Sequence, residues 1–266
     1  MRRLWAILLR DVQTELTYPL AFALQFVGVL FSVFIFYFLS QFLGGAIADK
    51  VGIGEGGYFP FVLLGVAFTG YFSVGLNRFA DALSTAQVTG TMEALLMTPS
   101  RLSVVVVGSV MYDYLYTTLR VMLFLAVGVA LGVRFPDPNW AAAGVSLALA
   151  IVAFASIGIM AAGCTMVFKR GNPIIWLVSN LVSLLGGVYY PVASLPAWLQ
   201  LISRALPITY ALNAMRGALL DGATWGKLAP DMLALAGFCL VLFPLSLMAF
   251  RAAVHKARVD GSLTQY

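Results

Sequence analysis

The sequence predicts an all-α integral membrane protein. It should hold six transmembrane helices, an N-terminal interfacial helix, a short cytoplasmic helix between spans two and three, and re-entrant helices before the last span. Three observations carry this expectation. Only 10% of the 266 residues are charged, against about 25% in a soluble globular domain. Apolar residues make up 61%, and mean hydropathy is +0.94. The apolar residues also gather into runs of the ~20 residues that a helix needs to cross a bilayer. A chain so poor in charge cannot cover its apolar surface in water, which excludes a soluble enzyme and a disordered protein alike.

In chain order, Met1–Thr17 reads as the interfacial helix. Trp5, Leu8 (or Leu9), Val12 and Leu16 recur at helical spacing, with Arg3, Arg10, Gln13 and Thr17 filling the remainder. A cleaved signal peptide fits poorly, because the first apolar run is too long and no small-residue site closes it. Pro19 marks the bend into the first span. The expected spans are Leu20–Leu43, Tyr58–Leu76, Leu102–Leu131, Ala141–Phe168, Pro173–Tyr190 and Met232–Phe250. Gly128-x-x-x-Gly132 in the third would permit close helix packing. The region 191–231 is apolar but broken by Pro196 and Pro207, and it carries Arg204 and Arg216. It is read as short helices dipping into the outer leaflet, where non-helical backbone needs cover from protein or a water-filled cavity. The whole chain, 1–266, forms one domain.

Orientation follows from the basic residues. With the N-terminus inside, the cytoplasmic segments hold Arg2, Arg3, Arg10, Arg78, Arg101, Lys169, Arg170, Arg251, Lys256 and Arg258. The other side holds Lys50, Arg134, Arg204, Arg216 and Lys227. This two-to-one bias places both termini in the cytoplasm. The net charge of +5 does not indicate nucleic acid, because the basic residues are scattered rather than gathered into a patch.

Chemistry-bearing motifs are scarce. The sequence contains no HExxH, no GxSxG and no Cys/His ligand cluster. Cys164 and Cys239 fall near opposite ends of their spans, which disfavours a disulfide, and the single histidine, His255, sits in the basic tail. The nearest approach to a phosphate loop, Gly222-Ala-Thr-Trp-Gly226-Lys227-Leu228, has one residue too few between its glycines. It also carries Leu where Ser or Thr would hold magnesium. Neither a catalytic group nor a metal site is expected in this chain.

Two features exceed a plain bundle. The first is the cytoplasmic segment 77–101. Gly90 and Pro99 bracket a stretch that opens on the candidate cap Thr91 and continues with good helix formers. Met92, Leu95 and Leu96 give it an apolar face, with Glu93 on another side. By periodicity such a helix suits either a groove on a soluble partner or the lipid surface. The second feature is Tyr112-Asp113-Tyr114-Leu115-Tyr116-Thr117-Thr118-Leu119-Arg120, which puts two charges inside the third span. Each costs roughly 2.5–3.5 kcal/mol at a bilayer centre on insertion scales. Asp113, Tyr116 (or Thr117) and Arg120 share a helical face, with Tyr112 adjacent to Tyr116. That face must therefore point at protein or a cavity. Either the two charges neutralise each other, or the tyrosines and charges line a path for an amphiphile or glycan.

The residues Gly90-Thr-Met-Glu-Ala-Leu-Leu-Met-Thr-Pro99 resemble the GTLExLLxTP motif that follows the second span of ABC-2-type transporter permeases. Downstream, Tyr190-Pro191, Leu195-Pro196-x-Trp198-Leu199, Pro207-x-Thr209-Tyr210-Ala211 and Arg216 resemble that family's segment before the last span. Met92 departs from the usual Leu, and Gln87 stands where charged residues are common. The resemblance covers nearly the whole chain. It implies the permease subunit of a bacterial ATP-driven exporter in the inner membrane, paired with a second copy and moving an amphipathic, lipid-linked or drug-like substrate outward. MgATP would bind a separate soluble nucleotide-binding ATPase subunit, and this chain would hold no cofactor. Gln87, Thr91, Met92, Glu93, Leu95, Leu96 and Thr98 would form the coupling helix that docks this partner. Tyr112, Asp113, Tyr116 and Arg120 would line the path, and Pro191, Pro196, Trp198, Pro207, Tyr210 and Arg216 would build the re-entrant motif. The alternatives are an ion- or proton-coupled secondary transporter, which tends to show inverted repeats, and a membrane scaffold without a transport role.

Overall fold

The computed structural model describes residues 19–51, 57–88, 102–168 and 173–259, together with Leu9, Gln13 and Thr17. The described residues form eight α-helices and no strand. They are α1 (Pro19–Val51), α2 (Tyr58–Val88), α3 (Leu102–Ala130), α4 (Trp140–Phe168), α5 (Pro173–Leu185), α6 (Ala197–Arg204), α7 (Pro207–Leu219) and α8 (Trp225–Val259). A 3₁₀ turn, Val192–Ser194, precedes α6. Of the expected interfacial helix, most lies outside the described residues. Its end shows a helical contact, the Thr17 amide donating to the Gln13 carbonyl at 3.1 Å.

Five helices are long and apolar enough to cross a membrane, through Ala23–Phe42, Tyr58–Asp81, Val110–Ala130, Trp140–Gly163 and Trp225–Ala253. The expected fifth span differs. α5 has 13 residues, about 20 Å at 1.5 Å per residue, and falls short of a ~30 Å hydrocarbon core. The chain leaves the helix at Gly186–Gly187, where Gly187 has φ +79°, a backbone region that favours glycine. Composition hid this break, since Pro173–Tyr190 carries no charge and is mostly apolar. Three other helices run past their expected bounds: α1 continues from Leu43 to Val51, α2 from Leu76 to Val88, and α8 covers Trp225–Val259 rather than Met232–Phe250. α8 does so despite Pro230 and Pro244 within it; membrane helices tolerate such breaks where neighbouring groups satisfy the freed carbonyls.

α2 is the hub of the bundle, packing against α1, α3, α4, α5 and α7. Its buried face carries Leu63, Leu64, Tyr71 and Leu76. Closest approach comes at the crossing with α4, where a Cβ on Gly158 would overlap the Gly75 carbonyl oxygen. Phe72 and Phe154 pack edge to face beside it, centroids 5.2 Å apart. α4 in turn packs on α7 and α8. By contrast α1 and α8 turn large apolar side chains outward, among them Phe31, Phe38, Phe42, Leu233, Leu240 and Met248. Such faces need lipid or another apolar surface.

The Gly128-x-x-x-Gly132 pair does not act as one packing motif. Gly128 meets Leu63 of α2, as expected of a small residue at a crossing. Gly132 lies beyond the end of α3 with φ +98°. There the Val133 amide donates to the Gly128 carbonyl and the Gly132 amide to Val129, at 3.0 Å each. This is a Schellman cap, so Gly132 terminates the helix.

Candidate functional site

α1, α2 and α3 enclose a cavity of about 310 Å³. α2 lines it with Gly70, Ser73, Val74, Asn77, Arg78 and Asp81, a single stripe at helical spacing. α3 contributes Asp113, Tyr116, Thr117 and Arg120, and α1 contributes Gln25. Gln25, Ser73, Arg78, Asp81 and Arg120 are exposed, so the cavity opens along one side. Arg78 and Asp81 lie at the C-terminal end of the α2 span, whereas Arg120 lies midway along the α3 span. The polar lining thus climbs from one end of the bundle to its middle.

Three of the four residues expected to line a path, Asp113, Tyr116 and Arg120, face this cavity. The fourth, Tyr112, stacks on Tyr116 with centroids 6.4 Å apart. The Tyr116 hydroxyl donates to Gln25 Oε1, tying α3 to α1. Tyr71 and Thr118 join α2 to α3 at 2.9 Å. Of the two alternatives for these charges, mutual neutralisation of Asp113 and Arg120 does not occur among the described contacts. Seven residues separate them, about 10 Å along the axis. Asp113 instead meets Arg78 Nε at 3.3 Å. Arg120 has no carboxylate at ion-pair distance among the described residues; its guanidinium lies 5.9 Å from the centre of the Phe124 ring. Arg78 and Asp81, which a second span ending at Leu76 puts in a cytoplasmic loop, lie instead on continuous helix and line the cavity, as does Gln25 of the first span. The stripe Ser73-Asn77-Arg78-Asp81 was the signal that the helix continues.

The Arg78–Asp113 pair is open to direct measurement. Arg78 is half exposed at 53%, and exposed pairs couple weakly, by about 0.2–1 kcal/mol. A double-mutant cycle with Arg78→Gln and Asp113→Asn, read by unfolding in mixed micelles, should give coupling within that range. The matching cycle between Asp113 and Arg120 should give less. Stronger coupling to Arg120 than to Arg78 would contradict the pairing.

At the opposite end of the bundle most of the residues expected to build a re-entrant motif hold a tight corner. Pro191 accepts from the Ser194 amide at 3.1 Å, and Pro196 precedes α6 and accepts from Leu199 and Gln200. Pro207 takes the first position of α7, where its missing N–H is no loss. The Tyr210 hydroxyl donates to the Arg204 carbonyl at 2.9 Å. Trp198 stands apart, 67% exposed on the outer face of α6. Arg216 is buried and binds three backbone carbonyls: Phe61 through Nε at 3.2 Å, Gly187 through Nη1 at 2.8 Å and Val188 through Nη2 at 2.9 Å. Its guanidinium lies 3.5 Å from the Phe61 ring centre. Gly65 makes room for it, since a Cβ there would fall on the Val188 carbonyl oxygen and 2.6 Å from Nη2. In sequence Arg216 stands out only as a motif residue, because its acceptors at 61, 187 and 188 are remote in the chain. A fork of donors with five N–H groups is what a non-helical turn inside an apolar bundle requires.

Of the expected docking residues, Gln87 lies on the last turn of α2, and Thr91, Met92, Glu93, Leu95, Leu96 and Thr98 lie outside the described residues. Among the described residues no group of His, Cys, Asp or Glu could hold a metal ion.

The sequence has relatives among known proteins. Residues 2–220 match the family model described as ABC-2 type transporter. The chain is 25% identical over 202 residues to a "Probable doxorubicin resistance ABC transporter permease protein DrrC" of Mycobacterium tuberculosis, in both strain H37Rv and strain CDC 1551. The match covers 74% of this chain and 70% of the relative. With the family model spanning most of its length, this membrane-integral chain belongs to the ABC-2 type transporter family.

Proposed function

We propose that the chain is the permease subunit of an ATP-driven exporter that moves an amphipathic substrate outward across the cytoplasmic membrane. The observation that carries this reading is the charged cavity of α1–α3. A bundle built only to sit in lipid has no use for Arg78, Asp81, Asp113 and Arg120 around one opening, since ionisable groups inside spans are costly and mark pathways. The relative named for doxorubicin resistance adds weight to an exported, drug-like molecule. In this reading the bundle crosses six times. α5 completes the extra crossing together with the non-helical turn at 186–190, whose Gly187 and Val188 carbonyls Arg216 satisfies. Both termini and the 89–101 connection face the cytoplasm, so the cavity opens in the cytoplasmic leaflet. Two copies pair, each docked to a soluble nucleotide-binding subunit that holds MgATP.

Purification tests this directly. The chain alone should hydrolyse no ATP. With the product of a neighbouring gene that encodes GxxxxGK[ST], it should form a two-plus-two complex that does. Hydrolysis by the isolated chain, or failure of any such subunit to bind it, would overturn the reading.

A further inference from the structure

The four charges around the cavity are not equivalent. Arg78 and Asp113 meet at 3.3 Å. Asp81 stands one helical turn beyond Arg78, at the end of the α2 span. Arg120 is the charge left open, midway along the α3 span, with the Phe124 ring at 5.9 Å and no carboxylate at ion-pair distance among the described residues. A permanently charged guanidinium at that depth demands an anion. Flanking these cavity-lining residues the helix surfaces turn apolar: Leu119 stands about 100° round α3 from Arg120, and Leu24 the same angle round α1 from Gln25, and both are exposed. A ligand seated here meets a deep cation with apolar helix surface at the margin of the opening.

We infer that Arg120 anchors the anionic headgroup, a phosphate or carboxylate, of an amphiphile whose hydrocarbon part lies against the exposed faces of α1 and α3. The guanidinium offers paired N–H donors to two oxygens of one headgroup. Thr117 and Gln25 line the same opening and bring a hydroxyl and, with Oε1 held by Tyr116, the Gln25 amide N–H groups as further donors for the headgroup. A cationic headgroup is disfavoured at Arg120 itself, because Asp113 faces Arg78 and the remaining carboxylate, Asp81, stands at the end of the α2 span, away from the mid-span guanidinium. This inference rests on the exporter reading for the direction of movement, but not for binding.

The test uses the full chain in uncharged dodecyl maltoside micelles, without ATP or any partner. Dodecyl phosphate is the probe. Saturable binding at one molecule per chain is expected, weakened at least tenfold by Arg120→Gln and only a few-fold by Arg120→Lys. Dodecyltrimethylammonium should not compete, and inorganic phosphate should compete at least a hundredfold less well. Preference for the ammonium compound would overturn the charge assignment, and equal competition by inorganic phosphate would overturn the amphiphile. Should Arg120→Gln fail to fold, a photoreactive dodecyl phosphate on the unaltered chain decides the matter: labelling within Tyr116–Phe124 supports the site, and labelling elsewhere overturns it. Binding at Arg120 by a chain that recruits no nucleotide-binding subunit would sink the exporter reading alone. An active exporter indifferent to dodecyl phosphate would sink this inference alone.

Discussion

Arg216→Met is expected to destabilise the protein by about 3 kcal/mol, enough to lower its unfolding midpoint clearly and reduce its accumulation in the membrane. Two terms oppose each other. Methionine fills similar volume and removes the burial of a charge, which by itself stabilises. Against that, the Gly187 and Val188 carbonyls lose their donors. They lie in a non-helical turn where no other backbone donor reaches them among the described contacts. Each unsatisfied carbonyl costs about 1–3 kcal/mol, and a desolvated cation–π contact such as that with Phe61 adds about 2. Phe61 itself sits in a helix, so its carbonyl keeps a backbone donor and weighs less. The donor loss wins because the guanidinium's charge is already dispersed over three carbonyl dipoles and a ring. Arg216→Gln, which can serve one carbonyl without charge, should fall between methionine and the native residue. A higher unfolding midpoint for Arg216→Met would show that charge burial dominates.

Sequence and structure part company at particular residues, and each has a physical cause. Apolar run length located five membrane-competent helices well, because lipid enforces length and composition together. It misjudged α5, because hydropathy is blind to the backbone: Gly186 and Gly187 read as ordinary apolar-region residues yet end the helix. The α3 face with Asp113, Tyr116 and Arg120 was legible because 3.6-residue spacing alone aligns them. Its true partner was not. Pairing between helices depends on their antiparallel register, which brings Arg78 of α2 beside Asp113. A span boundary placed at the first charge leaves Arg78 outside the helix, although charged residues facing a cavity are the ones a span can carry past such a boundary. The role of Arg216 was equally hidden, since its three acceptors come from residues 61, 187 and 188. No local pattern joins them.

Leu95→Asp is expected to uncouple the permease from its nucleotide-binding partner while leaving the membrane bundle intact. In the proposed complex the 91–98 segment docks into a groove on that partner, apolar side inward. The chain's architecture makes this an effective lever. α2 continues without interruption from the cavity residues Asn77, Arg78 and Asp81 to Val88, three residues short of Thr91. α3 then starts at Leu102 and carries Asp113 and Arg120 back to the same cavity. Any displacement of the 89–101 connection therefore acts on both walls of the cavity through helix backbone. An aspartate at position 95 would place an unpaired charge in an apolar groove, costing on the order of a few kcal/mol, or roughly a hundredfold in partner affinity for each 2.7 kcal/mol. Glu93→Ala should be milder, removing a charged contact worth about 1.5–3 kcal/mol only if that contact is buried. Both variants should still insert and unfold like the parent in micelles, because α1–α8 are untouched. Partner capture by affinity-tagged chain should collapse for Leu95→Asp, and substrate-stimulated ATP hydrolysis of the complex should fall for both. Wild-type capture and normal export by Leu95→Asp would show that the docking element lies elsewhere, and would leave the cavity without this connection to the site of ATP hydrolysis.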